Sequence, residues 1–276
     1  MITLITMKTL EKVHVIPLGF ERSVVVKPIR VLGCSRAHII TIGGEYAQKY
    51  ELYEKQRYFE KTVRKDLEEM GIEVNVHYTD LFDFKMAVAN LSRIIVEEKN
   101  RGSDVYVNIS SHGRFLSVVS ALVGWYHNAR VYYVFPDRYA KDEEEEKLYG
   151  RSICENVRVF ELPNVEFVKL SEEERFALSV VYSKIQKNGR EFVWLKDIKD
   201  KFSEKFPHIY SFEKNEWKRK RERDQKLITK INRRVLDKLE SKGYIKRDKI
   251  GRNTTLKLTE SGEFLALLEA NLPDFE

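Results

Sequence analysis

The chain has 276 residues, enough for one large domain or two of ordinary size. Its hydrophobic fraction of 42% and charged fraction of 33% indicate a folded globular protein and exclude a largely disordered one. Two cysteines exclude a disulfide-rich miniprotein, and no apolar run approaches the roughly 20 residues that span a bilayer. The opening residues are too short and unflanked for a signal peptide, so we expect a cytosolic protein without a membrane segment.

The net charge of +6 is concentrated in the second part of the chain. Lys and Arg balance Asp and Glu over residues 1–170, whereas residues 171–276 carry the whole excess and residues 181–260 alone sum to +12. A neutral first part before a basic second part suggests a regulatory module joined to a nucleic-acid-binding module. The alternative is a Lys-rich helix that is merely solvated.

The first part alternates between strand and helix patterns. Short β-branched or aromatic runs bounded by Gly, Asn or Pro predict strands at 13–17, 37–42, 72–78, 104–109 and 130–135. Amphipathic or apolar patterns between them predict helices at 53–70, 84–99 and 115–127. Pro28 predicts a helix first turn or a kink near Val26 and Lys27, and 157–170 predicts an edge strand. The alternation indicates an α/β fold, a Rossmann-like domain with a mostly parallel sheet.

Two loops at the carboxyl ends of the predicted strands are candidate ligand sites, because ligands bind to parallel sheets at that edge. Residues 18–23 follow the first strand, and residues 108–114 lead from the fourth strand into a helix. In the second loop, small residues, a helix N-terminus and Arg114 suit phosphate. The alternative is that Ser110 and Ser111 merely cap the helix. Neither loop has the glycine pattern of a dinucleotide site or the Walker lysine.

The second part predicts a winged helix-turn-helix domain. Its patterns predict three helices, a β-hairpin and a leucine-rich final helix, at 171–189, 195–202, 216–242, 244–258 and 259–271. The third helix is the predicted recognition helix. Residues of this helix and the wing that we expect to contact DNA are Lys226, Lys230, Asn232, Arg233, Arg234, Lys249 and Arg252. The alternative is a winged helix used for protein contact.

Three segments carry a resemblance to a known family: Pro17-Leu-Gly-Phe-Glu21, Val105 to Arg114, and Tyr133-Val-Phe-Pro-Asp-Arg-Tyr139. They resemble a CARF domain, the CRISPR-associated Rossmann fold, and the whole chain resembles archaeal CARF-like transcriptional regulators with a C-terminal winged helix. The resemblance implies a homodimer in which both copies of the two loops form one pocket for a cyclic oligoadenylate, most often the tetra-adenylate. Where that family usually has glycines, this chain has Ser111 and His112.

The resemblance also implies which residues line the pocket. They are Gly19, Phe20, Arg22, Ser23, Asn108, Ser110, Ser111, His112, Gly113 and Arg114. We expect Arg114 and the amides near Gly113 to hold phosphate, and Phe20 to contact a base or the pocket wall.

Together these patterns predict a ligand-responsive transcriptional regulator. Residues 1–168 would form the sensing and dimerisation domain, and residues 169–276 the DNA-binding domain. We expect no resident cofactor and no metal, because the His and Cys residues are scattered, and we assign no catalytic residue. One alternative is a ring nuclease that opens its cyclic ligand with the help of Ser23, His112 and Arg114. The other is a constitutive DNA-binding protein whose first domain is only a dimerisation scaffold.

Overall fold

The chain folds into two compact units that divide between residues 167 and 168. The structure, a computed structural model, describes residues 10–49, 51–164, 170–210, 220–251 and 253–269. Among these residues, every helix is too short or too polar to cross a lipid bilayer.

The N-terminal unit alternates strands and helices. In chain order its elements are β1 (Lys12–Pro17), α1 (Ser23–Leu32), β2 (Arg36–Thr41), α2 (Gly44–Lys49), α3 (Tyr53–Glu69), β3 (Glu73–Tyr78), α4 (Phe84–Asn100), β4 (Asp104–Asn108), α5 (Arg114–Tyr126), β5 (Arg130–Val134), β6 (Arg138–Tyr139), α6 (Glu143–Tyr149), β7 (Ser152–Ile153) and β8 (Val159–Glu161).

Six of these strands form one sheet in the order β3-β2-β1-β4-β5-β8. The first five are parallel, and β8 pairs antiparallel with β5 at the edge that the sequence predicted. β1 pairs with β2 on one side and β4 on the other, so the strand order reverses between β1 and β4. The predicted α/β fold with a mostly parallel sheet is confirmed.

Helices cover both faces of this sheet, as parallel sheets require. Tyr106 of β4 belongs to a core cluster with Val24 of α1. The next residue, Val107, points to the opposite face and packs against α5, where a Cβ on Gly124 would lie 3.3 Å from its side chain. The strands are therefore held rigidly in the middle of the domain, and their carboxyl ends present the connecting loops.

Pro28 lies inside α1, whereas the sequence predicted a helix first turn or a kink near Val26 and Lys27. Proline has no amide hydrogen, so the carbonyl of Val24, four residues earlier, lacks its helical donor. The side-chain amide of Asn108 donates to this carbonyl at 3.1 Å. A contact from β4 therefore replaces the missing helical hydrogen bond and lets α1 continue to Leu32.

The C-terminal unit is a winged helix. Its elements are α7 (Glu172–Asn188), β9 (Val193–Trp194), α8 (Leu195–Lys205), α9 (Pro207–Tyr210), α10 (Lys220–Ile231), a π-helical turn (Asn232–Leu236), α11 (Asp237–Ser241), β10 (Ile245–Ile250), β11 (Asn253–Leu258) and α12 (Glu260–Leu268).

The wing hairpin pairs β10 with β11, and β11 also pairs with β9, a strand that the sequence patterns missed. The predicted third helix is observed as α10, the π-helical turn and α11, and its expected start near residue 216 lies outside the described residues. From the sequence we expect the aromatic residues between the second and third helices to belong to the core rather than to a partner surface, and Phe206 and Tyr210 are buried. Phe212 and Trp217, which carried the same expectation, also lie outside the described residues.

Candidate functional site

The loops after β1 and β4 meet where the strand order reverses. The amide of Gly19 donates to the carbonyl of Ser111 at 2.7 Å, which joins the two loops directly. A Cβ on Gly19 would lie 3.3 Å from Cδ2 of His112, so only glycine fits here without displacing that ring. Such a reversal point is where ligands of doubly wound sheets bind.

A cavity of about 270 Å³ opens beside these loops. It is lined by Gly19, Phe20, Glu21, Ile42, Leu52, Gln56, Phe82, His112, Gly113 and Arg151. Three of its walls are aromatic, and the rings of Phe82 and His112 lie edge to face with centroids 6.1 Å apart. Flat apolar walls with a few polar groups suit a nucleobase. Of the residues expected from the sequence, this cavity brings together Gly19, Phe20, His112 and Gly113.

The N-terminus of α5 lies next to the cavity. Helix α5 starts at Arg114, and its N-cap residue Gly113 has no side chain to cap the first amides. The proposed alternative, in which serines cap this helix, is wrong. Ser111 donates its hydroxyl to the carbonyl of Pro17 at 2.7 Å, and the Ser110 hydroxyl accepts from the amide of Val134 at 2.6 Å. The first amides of α5 directly follow Gly113 of the cavity lining, and together with the exposed Arg114 side chain they make this end of the helix electropositive.

His112 is held in its neutral form at the pocket wall. Its Nδ1 accepts from the amide of Gly113 at 2.7 Å, which places the ring proton on Nε2. Burial lowers the pKa of His112 to about 4, so the imidazole carries no charge near neutral pH. It can therefore stack on a ligand or donate from Nε2, but it does not supply a positive charge to a phosphate.

Three other residues expected to bind ligand are engaged within the protein. The Arg22 guanidinium donates to both carboxylate oxygens of Asp66, at 2.7 and 2.9 Å. The buried Ser23 hydroxyl donates to the carbonyl of Ser152 and accepts from the amide of Cys154. Asn108 is buried and bonded to α1, as described above. None of these three lines the cavity of about 270 Å³, and because their polar groups are bonded within the protein we do not retain them in the ligand site. Ser110, Ser111 and Arg114 do not line the cavity either, and of these only Arg114 has an exposed side chain.

The structure adds cavity residues that the sequence reasoning missed. Phe82 lies in the loop after β3. Ligands bind at the carboxyl ends of parallel strands, so this loop was as good a candidate as the loops after β1 and β4. Gln56 lies in α3, where its side chain donates to the Leu18 carbonyl at 3.0 Å and to Thr41 Oγ1 at 2.7 Å. Arg151 reaches the cavity from the β6–α6–β7 segment, and no pattern in the sequence predicted that approach.

Glu21 also lines the cavity and is nearly buried. Its carboxylate accepts from the amide and the hydroxyl of Ser152, both at 2.8 Å. Burial raises the pKa of Glu21 to about 7, although the two hydrogen bonds from Ser152 and the charge of Arg151 oppose this rise. The cavity therefore contains a carboxyl group that titrates near neutral pH.

The winged helix divides its predicted DNA contacts into two groups. Lys226, Arg233 and Lys249 are exposed. Lys230 instead donates to the carbonyl of Ile209 at 2.6 Å, and the Arg234 guanidinium donates to Glu173 of α7 at 2.8 Å.

The π-helical turn contains Asn232, whose half-buried side chain has its Oδ1 atom buried without a hydrogen bond in the described part of the chain. π-Helical turns often lie at functional positions. Arg252 of the wing lies outside the described residues.

Comparison with protein-family models assigns both units. Residues 12–139 match a model described as HFX_2341-like, N-terminal, and residues 177–270 match the DUF6293 C-terminal winged helix domain. Each model is similar to one unit of the chain and covers less than half of its length. The matches and the sheet agree with the order inferred from the sequence, a Rossmann-like domain followed by a winged helix. A search of curated protein sequences finds no similar protein.

Comparison with solved structures finds similar chains at low identity. Csm6 of Enterococcus italicus, bound to cyclic hexa-2′-fluoro-hexa-dAMP, is 12% identical with a TM-score of 0.42 over 85% of this chain and 56% of its own. Can2 of Sulfobacillus thermosulfidooxidans, in complex with cyclic tetra-adenylate, is 13% identical with a TM-score of 0.37 over 93% and 64%. VC1899 of Vibrio cholerae is 12% identical with a TM-score of 0.36 over 94% and 66%. The chain therefore spans less than two thirds of each of these proteins.

Proposed function

We propose that the protein is a homodimeric transcriptional regulator that binds DNA through its winged helix and senses a cyclic oligoadenylate, or a related nucleotide, in its N-terminal domain. The observation that carries this proposal is the cavity at the reversal point of the sheet, next to the uncapped N-terminus of α5. It combines aromatic walls for a base with amides and Arg114 for phosphate. The ligand class follows from the resemblance of the sequence to CARF domains.

An exposed apolar face on α4 and α5 supports the dimer. Phe84 and Phe115 lie with ring centroids 6.4 Å apart, and Val118 is on the next turn of α5. All three side chains are among the exposed large hydrophobic residues. A contiguous apolar patch of this kind is typical of a protein–protein contact. Burying it against a second copy would bring two α5 N-termini together, and a two-fold symmetric ring such as cyclic tetra-adenylate would suit the shared pocket.

DNA binding rests on the winged helix and its charge. The excess of +12 over residues 181–260 provides sequence-independent attraction to phosphates, and the exposed Lys226 and Arg233 lie on the predicted recognition helix. We propose that ligand binding changes the placement of the two winged helices in the dimer and thereby their fit to two DNA half-sites.

The ring-nuclease alternative has less support from the site. Of the three residues considered for cleavage, Ser23 has its hydroxyl occupied within the protein, and His112 is neutral near pH 7 and accepts from a backbone amide. Of the three, Arg114 alone has an exposed side chain, next in sequence to Gly113 of the cavity lining. Sensing without cleavage is therefore the function that we propose.

Calorimetric titration of the full chain with cyclic tetra-adenylate tests the sensor. We expect one ring per dimer and a loss of affinity of at least about tenfold in Arg114→Ala, because a charge-assisted contact to phosphate is removed. Arg93→Ala is the matched control, since this exposed arginine of α4 pairs with Glu97 and belongs to neither loop of the site. Equal affinity for wild type and Arg114→Ala would overturn the assignment of the phosphate site.

Fluorescence anisotropy with DNA tests the response. We expect the affinity of the protein for a duplex selected from a random-sequence library to change when the cyclic ligand is added. If the DNA affinity is the same with and without bound ligand, the proposed response to ligand is wrong. That result would support a constitutive DNA-binding protein whose first domain is a scaffold. Chromatography of the ligand after incubation with the protein would detect any opened ring and so reveal nuclease activity.

A further inference from the structure

A second pair of cations, apart from Arg114, lies around Phe20, a residue of the cavity wall. Nζ of Lys55, on α3, is 4.7 Å from the centroid of the Phe20 ring. The guanidinium carbon of Arg151, just before β7, is 5.7 Å from the same centroid. Phe20 and Arg151 both line the cavity. Two positive charges from different elements therefore converge on one aromatic wall of the ligand site.

One carboxylate of the protein holds both cations. Glu146 of α6 accepts a hydrogen bond from Lys55 at 2.8 Å through Oε2, and its Oε1 lies 3.5 Å from Nε of Arg151. The Glu146 side chain is only 14% exposed, and Oε1 is buried without a hydrogen bond among the described residues. A buried carboxylate oxygen that lacks a donor costs free energy. Glu146 is therefore an incompletely satisfied partner for the two cations.

The helix that carries Glu146 is attached mainly through polar contacts. No residue of α6 is buried, and its first turn contains four glutamates. The Leu148 carbonyl accepts from Arg22 at 2.8 Å, and the Lys147 carbonyl accepts from Tyr58 at 3.2 Å. An element with so little burial opens at low free-energy cost. Losing the Glu146 contacts would therefore affect the whole helix.

We propose that Lys55 and Arg151 are a second phosphate-binding pair of this pocket, and that Glu146 is an internal carboxylate that a ligand phosphate replaces. Lysine and arginine are the usual partners of phosphate, and a phosphate accepts more hydrogen bonds from them than Glu146 does here. The replacement releases α6 from Lys55 and Arg151 when ligand binds. The inference rests on the proposed function only for the identity of the ligand. The cation pair itself requires a phosphate group, whether or not that phosphate belongs to a cyclic oligoadenylate.

Titration of the full chain with two probes, cyclic tetra-adenylate and inorganic pyrophosphate, tests the pair. We expect Lys55→Ala and Arg151→Ala each to weaken binding of both probes about tenfold, since each removes a charge-assisted contact. We expect Glu146→Gln to tighten binding severalfold, because the competing negative charge is gone while the side chain keeps its size. Glu144→Gln is the matched control on the exposed side of the same helix and should bind like wild type.

Hydrogen exchange gives a second readout that a purely structural role of Glu146 would not produce. We expect the amides of residues 143–149 of the wild type to exchange faster when the probe is bound, which an anchoring role alone does not predict. In Glu146→Gln they should exchange fast with or without the probe, and Glu144→Gln should respond to the probe as wild type does. If Glu146→Gln weakens binding as Lys55→Ala does, Glu146 only anchors α6 and the proposal fails.

The two probes separate this inference from the proposed function. If pyrophosphate binds with the expected order of variants and cyclic tetra-adenylate does not, the proposed ligand is wrong and the cation pair stands. If the cyclic ligand binds and neither Lys55→Ala nor Arg151→Ala changes its affinity, the pair is wrong and the sensor stands. If neither probe binds to wild type, both fail.

Discussion

Glu21 shows how a single buried carboxyl group can make the N-terminal domain sensitive to pH. Its side chain is 8% exposed, and burial raises its pKa from the ordinary value of 4.5 to about 7. The folded protein therefore binds this proton more tightly than the unfolded chain does. Stability attributable to Glu21 is highest below about pH 4.5 and is lost as the pH rises to about 7.

Glu21→Gln should remove this dependence. The glutamine oxygen can still accept from the Ser152 amide, and the Ser152 hydroxyl can turn to accept from the new side-chain amide. We expect the free energy of unfolding of the variant, relative to wild type, to increase between about pH 5 and about pH 8, because only wild type then buries a charge. Scanning calorimetry across this range measures it. A difference that stays constant with pH would show that Glu21 does not titrate there.

Asn108 illustrates a residue whose role is structural although it lies in a candidate ligand loop. Its side-chain amide donates to the Val24 carbonyl that Pro28 leaves without a helical donor, and its Oδ1 accepts from the Ser110 amide at 2.8 Å. Asn108→Ala leaves a buried carbonyl and an amide unpaired. We expect a loss of about 2–4 kcal/mol in the free energy of unfolding, measured by calorimetry of the full chain.

A double-mutant cycle identifies the reason for that loss. Pro28→Ala restores a backbone amide four residues after Val24, so it can supply the helical hydrogen bond itself. We expect Asn108→Ala to cost about 1 kcal/mol less in the Pro28→Ala background than in wild type. Additive effects of the two substitutions would contradict the assignment of Asn108 as the replacement donor.

At the scale of elements, periodic patterns determined most of what could be predicted. The strand and helix patterns gave the alternation of the N-terminal domain and the order of the winged helix, because burial of one face imposes those periods. The interior position of Pro28 could not be predicted, since it depends on a donor from β4 that is distant in sequence. Arg151 and Gln56 reach the cavity through tertiary packing, and no local pattern reports such an approach.

On the predicted recognition helix, too, a sequence pattern does not report which side chains make tertiary contacts. Arg233 and Arg234 are equivalent in the sequence, and both were expected to contact DNA. In the structure both side chains are exposed, but Arg234 donates to both oxygens of Glu173, which also accepts from the Tyr210 hydroxyl at 3.1 Å. Arg234 differs from Arg233 because α7 places Glu173 beside it. The sequence pattern of the recognition helix alone gives no information on the position of α7.

These two neighbours make a matched pair of variants. Arg233→Ala should weaken DNA binding and lower the slope of log affinity against log salt by about one, with no change in thermal stability. Arg234→Ala should instead lower the free energy of unfolding of the winged helix by about 1 kcal/mol, because its half-exposed ion pair with Glu173 is lost. Anisotropy titrations at several salt concentrations and calorimetry separate the two effects. If Arg234→Ala weakens DNA binding as much as Arg233→Ala does and leaves stability unchanged, Arg234 contacts DNA and its structural assignment is wrong.

At the scale of the whole molecule, the sensor proposal requires that two copies meet at their pockets. The exposed face of α5 carries Phe115 and Val118, with 49% and 60% of their surfaces accessible, directly after the residue that begins the helix at the cavity. A dimer through this face links assembly to ligand binding, because each ring would contact both copies. A dimer elsewhere on the surface leaves each cavity to act alone.

Val118→Glu tests this arrangement, with Val31→Glu as its control on α1, where the valine is 68% exposed. A charge buried at a dimer contact is unfavourable, so we expect Val118→Glu to sediment as a monomer and to bind cyclic tetra-adenylate at least about tenfold more weakly. Val31→Glu should remain a dimer with wild-type affinity. Because two linked winged helices bind two half-sites together, the monomer should also lose affinity for a paired DNA site but not for a single half-site. If Val118→Glu sediments as a stable dimer, the dimer contact does not lie on this face of α5. Dimerisation would then not be linked to ligand binding in the pocket.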